Sequence, residues 1–143
     1  MKCDIRLMVI SPDEEVYRGL VQKMVIPGAD GLFGVLPRHA PMISLLGPGV
    51  ARFTECGGGG ERLMAVTGGF AEVRDNRVTL VADAAELAGE IDLERARESL
   101  ERARRRLHHE LEDQVDIPRA QASLRRALAR IKAAGGGPVV KIG

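Results

Sequence analysis

The sequence predicts a β + α molecule in two parts, an antiparallel β-sandwich or barrel followed by an antiparallel α-helical hairpin. Three observations predict it. Up to about residue 90 the chain reads as short β-rich runs separated by turn residues. After Gly89 the apolar residues recur instead at steps of three and four. Charge divides at the same point: residues 1–90 hold 9 Lys and Arg against 12 Asp and Glu, a balance of −3, whereas residues 91–143 hold 12 against 8, a balance of +4.

The first run, "CDIRLMV", alternates, with Cys3, Ile5, Leu7 and Val9 on one face and Asp4, Arg6 and Met8 on the other. "VYRGLVQKMVIPG", "FGVLP", "GVARFTE", "RLMAVTGG", "FAEVR" and "RVTLVAD" follow as further strands, with "GGGG" at 57–60 and "RDN" at 74–76 as hairpin turns. The chain is 45% apolar but only 3% aromatic, so its core must be aliphatic. In the second part, Leu93, Ala96, Leu100, Ala103, Leu107 and Leu111 form one helical stripe. Ala120, Leu124, Ala127, Leu128 and Ile131 form another. Both stripes are narrow, so the helices are expected to pack on each other. Asp92 is placed to cap the first helix, with Ile91 and Ala96 as a hydrophobic staple, and "VDIPRA" repeats that spacing before the second helix. Pro118 suits a first turn and Gly135 a helix stop. The expected division is a sandwich over 1–88, a hairpin over 89–134 and a tail over 135–143.

Several function classes are poorly served. There is no G-x-S-x-G elbow and no H-E-x-x-H helix, so no catalytic residues are assigned. His108 and His109 are adjacent on a helix and point about 100° apart, which suits a solvated face better than a metal. No metal site is expected. Cys3 and Cys56 belong to no CxxC pair and read as isolated thiols of a reducing compartment. A net charge of +1, one Tyr and no Trp argue against nucleic acid. The run "RARRR" at 102–106 reads as a solvated helix face interleaved with Glu98, Glu101 and Glu110, with contact to phosphate or an acidic partner as the alternative. The longest uncharged run, "APMISLLGPGVA", has 12 residues, short of the roughly 20 that a membrane helix needs.

The stretch "GADGLFGVLPRHAPMISLLGPG", residues 28–49, holds five glycines and three prolines and is otherwise mostly apolar. Turns are usually polar. Apolar turns on a small domain suit either tight sandwich corners or a contact surface. Glycines 28, 31 and 34 are not a phosphate loop, because no Gly-Lys-Ser/Thr follows.

In this order the features resemble the bacterial-type ε subunit of F-type ATP synthases. The match rests on "RGLVQKMVIPGADGLFGVLPRHAPMISLLGPG", "VTLVAD", "DLERARESLERA" and "VDIPRAQASLRRALARI". The resemblance implies a sandwich of about ten strands followed by a helical hairpin. It implies a non-catalytic rotor subunit of the central stalk, partnered by the γ subunit and the c-ring, which transmits proton- or sodium-driven rotation. It further implies a peripheral position on the cytoplasmic face of the bacterial membrane. By that likeness Gly31, Leu32, Phe33, Gly34, Arg38 and His39 face the c-ring, and a β-branched residue at Gly34 is expected to resist a positive φ there. Leu32 stands where some relatives carry a carboxylate. The resemblance also implies that the hairpin reaches the α/β catalytic head to restrain ATP hydrolysis, meeting an acidic segment through Arg125, Arg126 and Arg130. No cofactor is required, but "IDLERA" is similar to a motif of ε subunits that bind ATP as a regulatory ligand. The implied ATP site is Glu86, Ile91, Asp92, Arg95, Ala96, Arg102, Arg126 and Arg130. The alternative is a stand-alone module that binds a nucleotide or an acidic partner.

Overall fold

The computed structural model describes residues 3–113 and 116–135. Seven strands come first: β1 (Ile5–Ile10), β2 (Glu15–Gly28), β3 (Gly31–Val35), β4 (Met42–Leu45), β5 (Gly49–Glu55), β6 (Gly60–Arg74) and β7 (Arg77–Leu87). A single 3-10 turn, Ala88–Glu90, leads to α1 (Leu93–Asp113) and α2 (Ile117–Ala133). The sheet order is β1-β7-β6-β5-β2-β3, with β4 on β6, and β1 also pairs with β2 and so closes the sheet on itself. All pairings are antiparallel except β1 with β7, which come from opposite ends of the sandwich sequence.

The strands β2, β6 and β7 are long because each serves both layers. β2 pairs with β1 up to Val21 and with β5 from Val21 on. β6 pairs first with β5 and then with β4. β7 runs beside β6 throughout, and its first half also carries β1. Counting each long strand once per layer recovers ten segments. The runs "RLMAVTGG" and "FAEVR" are therefore one bent strand. The bend falls at Gly68 and Gly69, at φ 59 and 96. A Cβ on Gly69 would lie 1.9 Å from the Val81 carbonyl oxygen, so only glycine lets β6 turn there while staying on β7.

The alternation read in β1 is the alternation observed: Ile5, Leu7 and Val9 are buried. They join a largely aliphatic core with Val21, Met24, Ile26, Met64, Val66, Val78 and Leu80, to which Phe53 adds a fully buried aromatic ring. In β6 the consecutive residues Met64, Ala65 and Val66 are all buried, which a strand with one wet face would not show. Met64 and Val66 point into the sandwich core, and Ala65 belongs to a second core beneath the helices. That second core holds Val50, Ala65, Ile91, Ala96, Leu100, Ala127, Ile131 and Ala133. The hairpin thus packs on the sandwich as well as on itself, which its narrow stripes alone do not predict. Leu111, expected in the α1 stripe, is half exposed. It lies eleven residues beyond Leu100, about 16 Å further along the helix.

The helix ends follow the sequence unevenly. The Arg95 amide donates to Asp92 Oδ1 at 3.1 Å, and Ile91 and Ala96 share the second core, so the cap and staple of α1 form as read. Asp116 precedes α2 but makes no side-chain cap bond, so "VDIPRA" copies the spacing without the hydrogen bond. Gly135, at φ 88, ends α2 by donating to the Lys132 carbonyl. The rest of the expected tail lies outside the described residues.

The cysteines depart from expectation. Cys3 and Cys56 are joined in a disulfide, with Cα atoms 5.8 Å apart across 53 residues of sequence. The reason is topological. Val21 of β2 lies opposite both Ile5 and Glu55, so the start of β1 and the end of β5 meet around one strand. Local spacing carries no trace of that meeting.

Beside the disulfide, the Tyr17 hydroxyl donates to Glu55 Oε2 at 2.6 Å and Arg62 Nη1 donates to the same oxygen at 3.3 Å. Tyr17 also packs on Phe53, with ring centres 4.7 Å apart. The Tyr17 hydrogen bond holds the Glu55 carboxyl below its usual range, burial opposes this, and Arg62 adds to the lowering. Burial first, and Glu55 second, push the Tyr17 phenol up to about 12. The lowered carboxyl stabilises the fold above its ordinary value of 4.5, and that contribution is lost as the pH falls below it. The raised phenol stabilises the fold below pH 10.0, and its contribution is lost as the pH climbs towards about 12. Tyr17→Phe is expected to flatten both limbs of the stability–pH profile measured by urea melts. An unaltered profile would show that the cluster does not couple folding to pH.

Candidate functional site

A pocket of about 410 Å³ lies where the hairpin crosses the sheet. The helices supply matching sets of side chains. α1 gives Ser99, Arg102, Ala103 and Arg106, and α2 gives Ser123, Arg126, Ala127 and Arg130. Each set sits at i, i+3, i+4 and i+7, so it forms one helical face. The two stretches, "SLERARRR" and "SLRRALAR", share the pattern S-L-x-R-A-x-x-R. The likeness extends to hydrogen bonds: Arg102 Nη2 donates to Ser99 Oγ at 3.0 Å, and Arg126 Nη2 to Ser123 Oγ at 3.0 Å. Small alanines between the arginines let the helices approach.

The sheet provides the floor, with Ala65 and Thr67 from β6 and Ala84, Ala85 and Glu86 from β7. Glu86 accepts two bonds from Arg130, from Nε at 2.7 Å and from Nη2 at 3.3 Å. This fork pins α2 to β7 and orients one guanidinium along the pocket wall. Four arginines face one carboxylate, so the lining is cationic and suits an anionic ligand with several oxygens.

Of the eight residues expected at an ATP site, the structure gathers Glu86, Arg102, Arg126 and Arg130 around this pocket. The other four lie at the start of α1. Ile91 and Ala96 are buried in the second core, Asp92 caps the helix, and Arg95 is exposed. Arg95 is seven residues before Arg102, about 10 Å along the helix. Sequence reasoning passed over Ser99, Arg106, Ser123 and Thr67. The repeated S-L-x-R-A-x-x-R pattern was the signal that could have found three of them. The run at 102–106 divides its labour: half-buried Arg104 pairs with Glu101 at 3.4 Å outside the pocket, while Arg102 and Arg106 line it.

The glycine- and proline-rich stretch forms a second candidate surface. Gly28 pairs with Gly31, so residues 29 and 30 make a tight hairpin turn between β2 and β3. Gly31 has φ 133. Gly34 does not take a positive φ, and a Cβ there would meet nothing closer than 4.0 Å, so the conformational demand expected at Gly34 falls on Gly31. Leu32 is 70% exposed, while Phe33 packs against the sandwich core. Residues 36–39 form a turn in which the His39 amide donates to the Leu36 carbonyl at 3.2 Å. Arg38 is exposed in this turn, and His39 Nδ1 donates to the Ala40 carbonyl at 2.7 Å.

The strand β4 lies within a stretch whose sequence does not alternate, since Met42, Ile43 and Leu45 are all apolar, yet its residues alternate in exposure. It exposes Ile43 and Leu45, 72% and 69%, beside Phe70 of β6. The molecule therefore carries apolar surface on β4 as well as at Leu32 and Leu36. Among the described residues there is no group of three metal-ligating side chains, and no helix is long and apolar enough to cross a membrane.

The chain resembles known proteins over both of its parts. Residues 4–88 match the family described as ATP synthase, Delta/Epsilon chain, beta-sandwich domain, and residues 90–135 match ATP synthase, Delta/Epsilon chain, long alpha-helix domain. The ATP synthase epsilon chain of Syntrophobacter fumaroxidans is 46% identical over 130 residues, covering 91% of this chain and 95% of that one. That of Alkalihalophilus pseudofirmus is 43% identical over 109 residues, covering 76% and 80%. Among solved structures, a chain of the Euglena gracilis mitochondrial ATP synthase, in an OSCP/F1/c-ring assembly, superposes with a TM-score of 0.75 at 26% identity, covering 94% of this chain and 82% of that one.

Proposed function

The chain belongs to the ATP synthase delta/epsilon chain family, and we propose that, as an ε subunit of the central stalk, it couples the c-ring to the γ subunit through two separate surfaces. The corner with Leu32, Leu36, Arg38 and His39 meets the polar loops of the c-ring on the cytoplasmic face. The exposed β4 face, with Ile43, Leu45 and Phe70, lies against the γ subunit. The chain itself performs no catalysis. Tight turns hold the corner rigid and its apolar side chains supply contact area, which accounts for the composition of residues 28–49.

The hairpin is the regulatory part. Docked, it forms the cationic pocket, and ATP bound there bridges α1, α2 and β7. The observation that carries this reading is the gathering of Arg102, Arg126, Arg130 and Arg106 around Glu86, from three separate elements. A ligand held by all three favours the docked hairpin by its differential affinity. Opening must break the Glu86–Arg130 fork and expose Ile131 and Ala127. The opened α2 then presents Arg125, Arg126 and Arg130 to an acidic segment of the catalytic head and restrains hydrolysis.

Calorimetry on the full chain tests the pocket. Arg126→Ala is expected to weaken ATP binding by about 10–100-fold, the range for losing a hydrogen bond to a charged group. Absence of heat at millimolar ATP, or binding indifferent to the substitution, would reject it. In the assembled complex, deleting residues 118–143 is then expected to raise ATP hydrolysis, and an unchanged rate would remove the inhibitory role.

A further inference from the structure

The turn over 36–39 has an unusual occupant. Its second residue is Pro37 and its third is Arg38, at φ 67. With the His39-to-Leu36 bond this is the geometry of a type II turn, whose third position normally takes Gly or Asn. Arginine has a Cβ and no short polar group to hold such a conformation by itself. The support comes from elsewhere in the chain. The Arg38 amide donates to Asn76 Oδ1 at 2.7 Å, across 38 residues of sequence.

Asn76 is well placed to give that support. It sits in the two-residue turn between β6 and β7, where Asp75 and Asn76 have φ 49 and 58. This is a type I′ hairpin turn, in which Asn is a favoured residue. Its own carbonyl accepts from the Arg6 amide at 2.9 Å, which ties the turn to β1. One residue therefore joins the β6–β7 hairpin, the first strand and the loop that carries Arg38 and His39. The side-chain bond also satisfies an amide that points out of a type II turn.

We propose that Asn76 is a positioning residue for the rotor-facing corner: its carboxamide selects the left-handed conformation of Arg38, and so fixes how Arg38 and His39 are presented to the partner. The presentation clause rests on the rotor reading given above; the conformational clause does not. The device explains how an arginine occupies a glycine position. A positive charge is retained at the tip of the corner, and its backbone is held by a side chain on a neighbouring turn.

Two substitutions separate the terms. Asn76→Gly keeps a residue that accepts positive φ in the β6–β7 turn but deletes the carboxamide. Asn76→Asp restores an acceptor oxygen. In the isolated full-length chain, hydrogen exchange of the Arg38 amide is expected to quicken at least tenfold in Asn76→Gly and to return close to the parent rate in Asn76→Asp. The strong intraresidue amide–Hα cross-peak that marks a positive φ at Arg38 should fade and return in step. In the assembled complex, Asn76→Gly is expected to lower ATP-driven ion pumping at an unchanged hydrolysis rate, and Asn76→Asp to restore it. An unchanged cross-peak at Arg38 in Asn76→Gly would overturn the positioning role, whatever the exchange rate. A lost cross-peak with full pumping would overturn the presentation of this turn to the rotor, while leaving the conformational role standing.

Discussion

Reduction of the Cys3–Cys56 disulfide lowers the stability of the chain by about 2–4 kcal/mol. The bridge spans 53 residues, and chain-entropy reasoning gives about 4 kcal/mol for a loop of that length. It staples the start of β1 to the end of β5, two strands that otherwise communicate only through β2 and the closed sheet. For a chain of this size the melting temperature should fall by roughly 8–15 °C when reductant is added. Cys3→Ser is expected to melt at the reduced value with or without reductant. A parent chain whose melting ignores reductant would show that the staple carries no weight. At the proposed cytoplasmic position thiol reductants favour the open pair. The aliphatic core around Leu7, Met24 and Leu80 must then hold the sandwich alone, so the reduced chain is expected to remain folded.

Ile131→Asp undocks the helical hairpin and abolishes nucleotide binding. Ile131 is fully buried in the second core, between α2 and the β5–β6 surface that offers Val50 and Ala65. An unpaired carboxylate there costs several kcal/mol in either protonation state, since the protonated acid also lacks a partner. The sandwich core is a separate cluster and should still melt cooperatively. The pocket cannot survive undocking, because Glu86 and Ala65 come from the sheet whereas the arginines come from the helices. Limited proteolysis should therefore cut first within residues 91–135, and calorimetry should show no heat with ATP. Ile131→Val, which costs about 0.5–1.5 kcal/mol at a buried site, should keep both docking and binding. Retained binding in a hairpin that proteases cut freely would mean that the sheet contributes nothing to the site.

What the sequence determined by itself is whatever repeats with a local period. Ile5, Leu7 and Val9 announced β1, because a strand turns alternate residues to one face. Ala96, Leu100 and Ala103, like Ala120, Ala127 and Ile131, announced helices, because the helical turn returns a side chain every three or four residues. Asp92 announced its cap from a bond spanning three residues. Glu86, Arg102, Arg126 and Arg130 were legible as partners only through likeness to a family. Their meeting depends on the hairpin closing over the sheet, and no periodicity within a helix states which sheet face it covers. The tertiary structure alone decided the rest: the bend of β6 at Gly68 and Gly69, the Cys3–Cys56 bridge, the hold of Asn76 on Arg38, and the burial of Ala65 beneath the helices. Each of these joins elements that β-pairing or helix docking brings together across long stretches of chain. Their geometry is fixed by which strands share a layer, and that choice is made by the packing of the whole core rather than by any neighbouring residue.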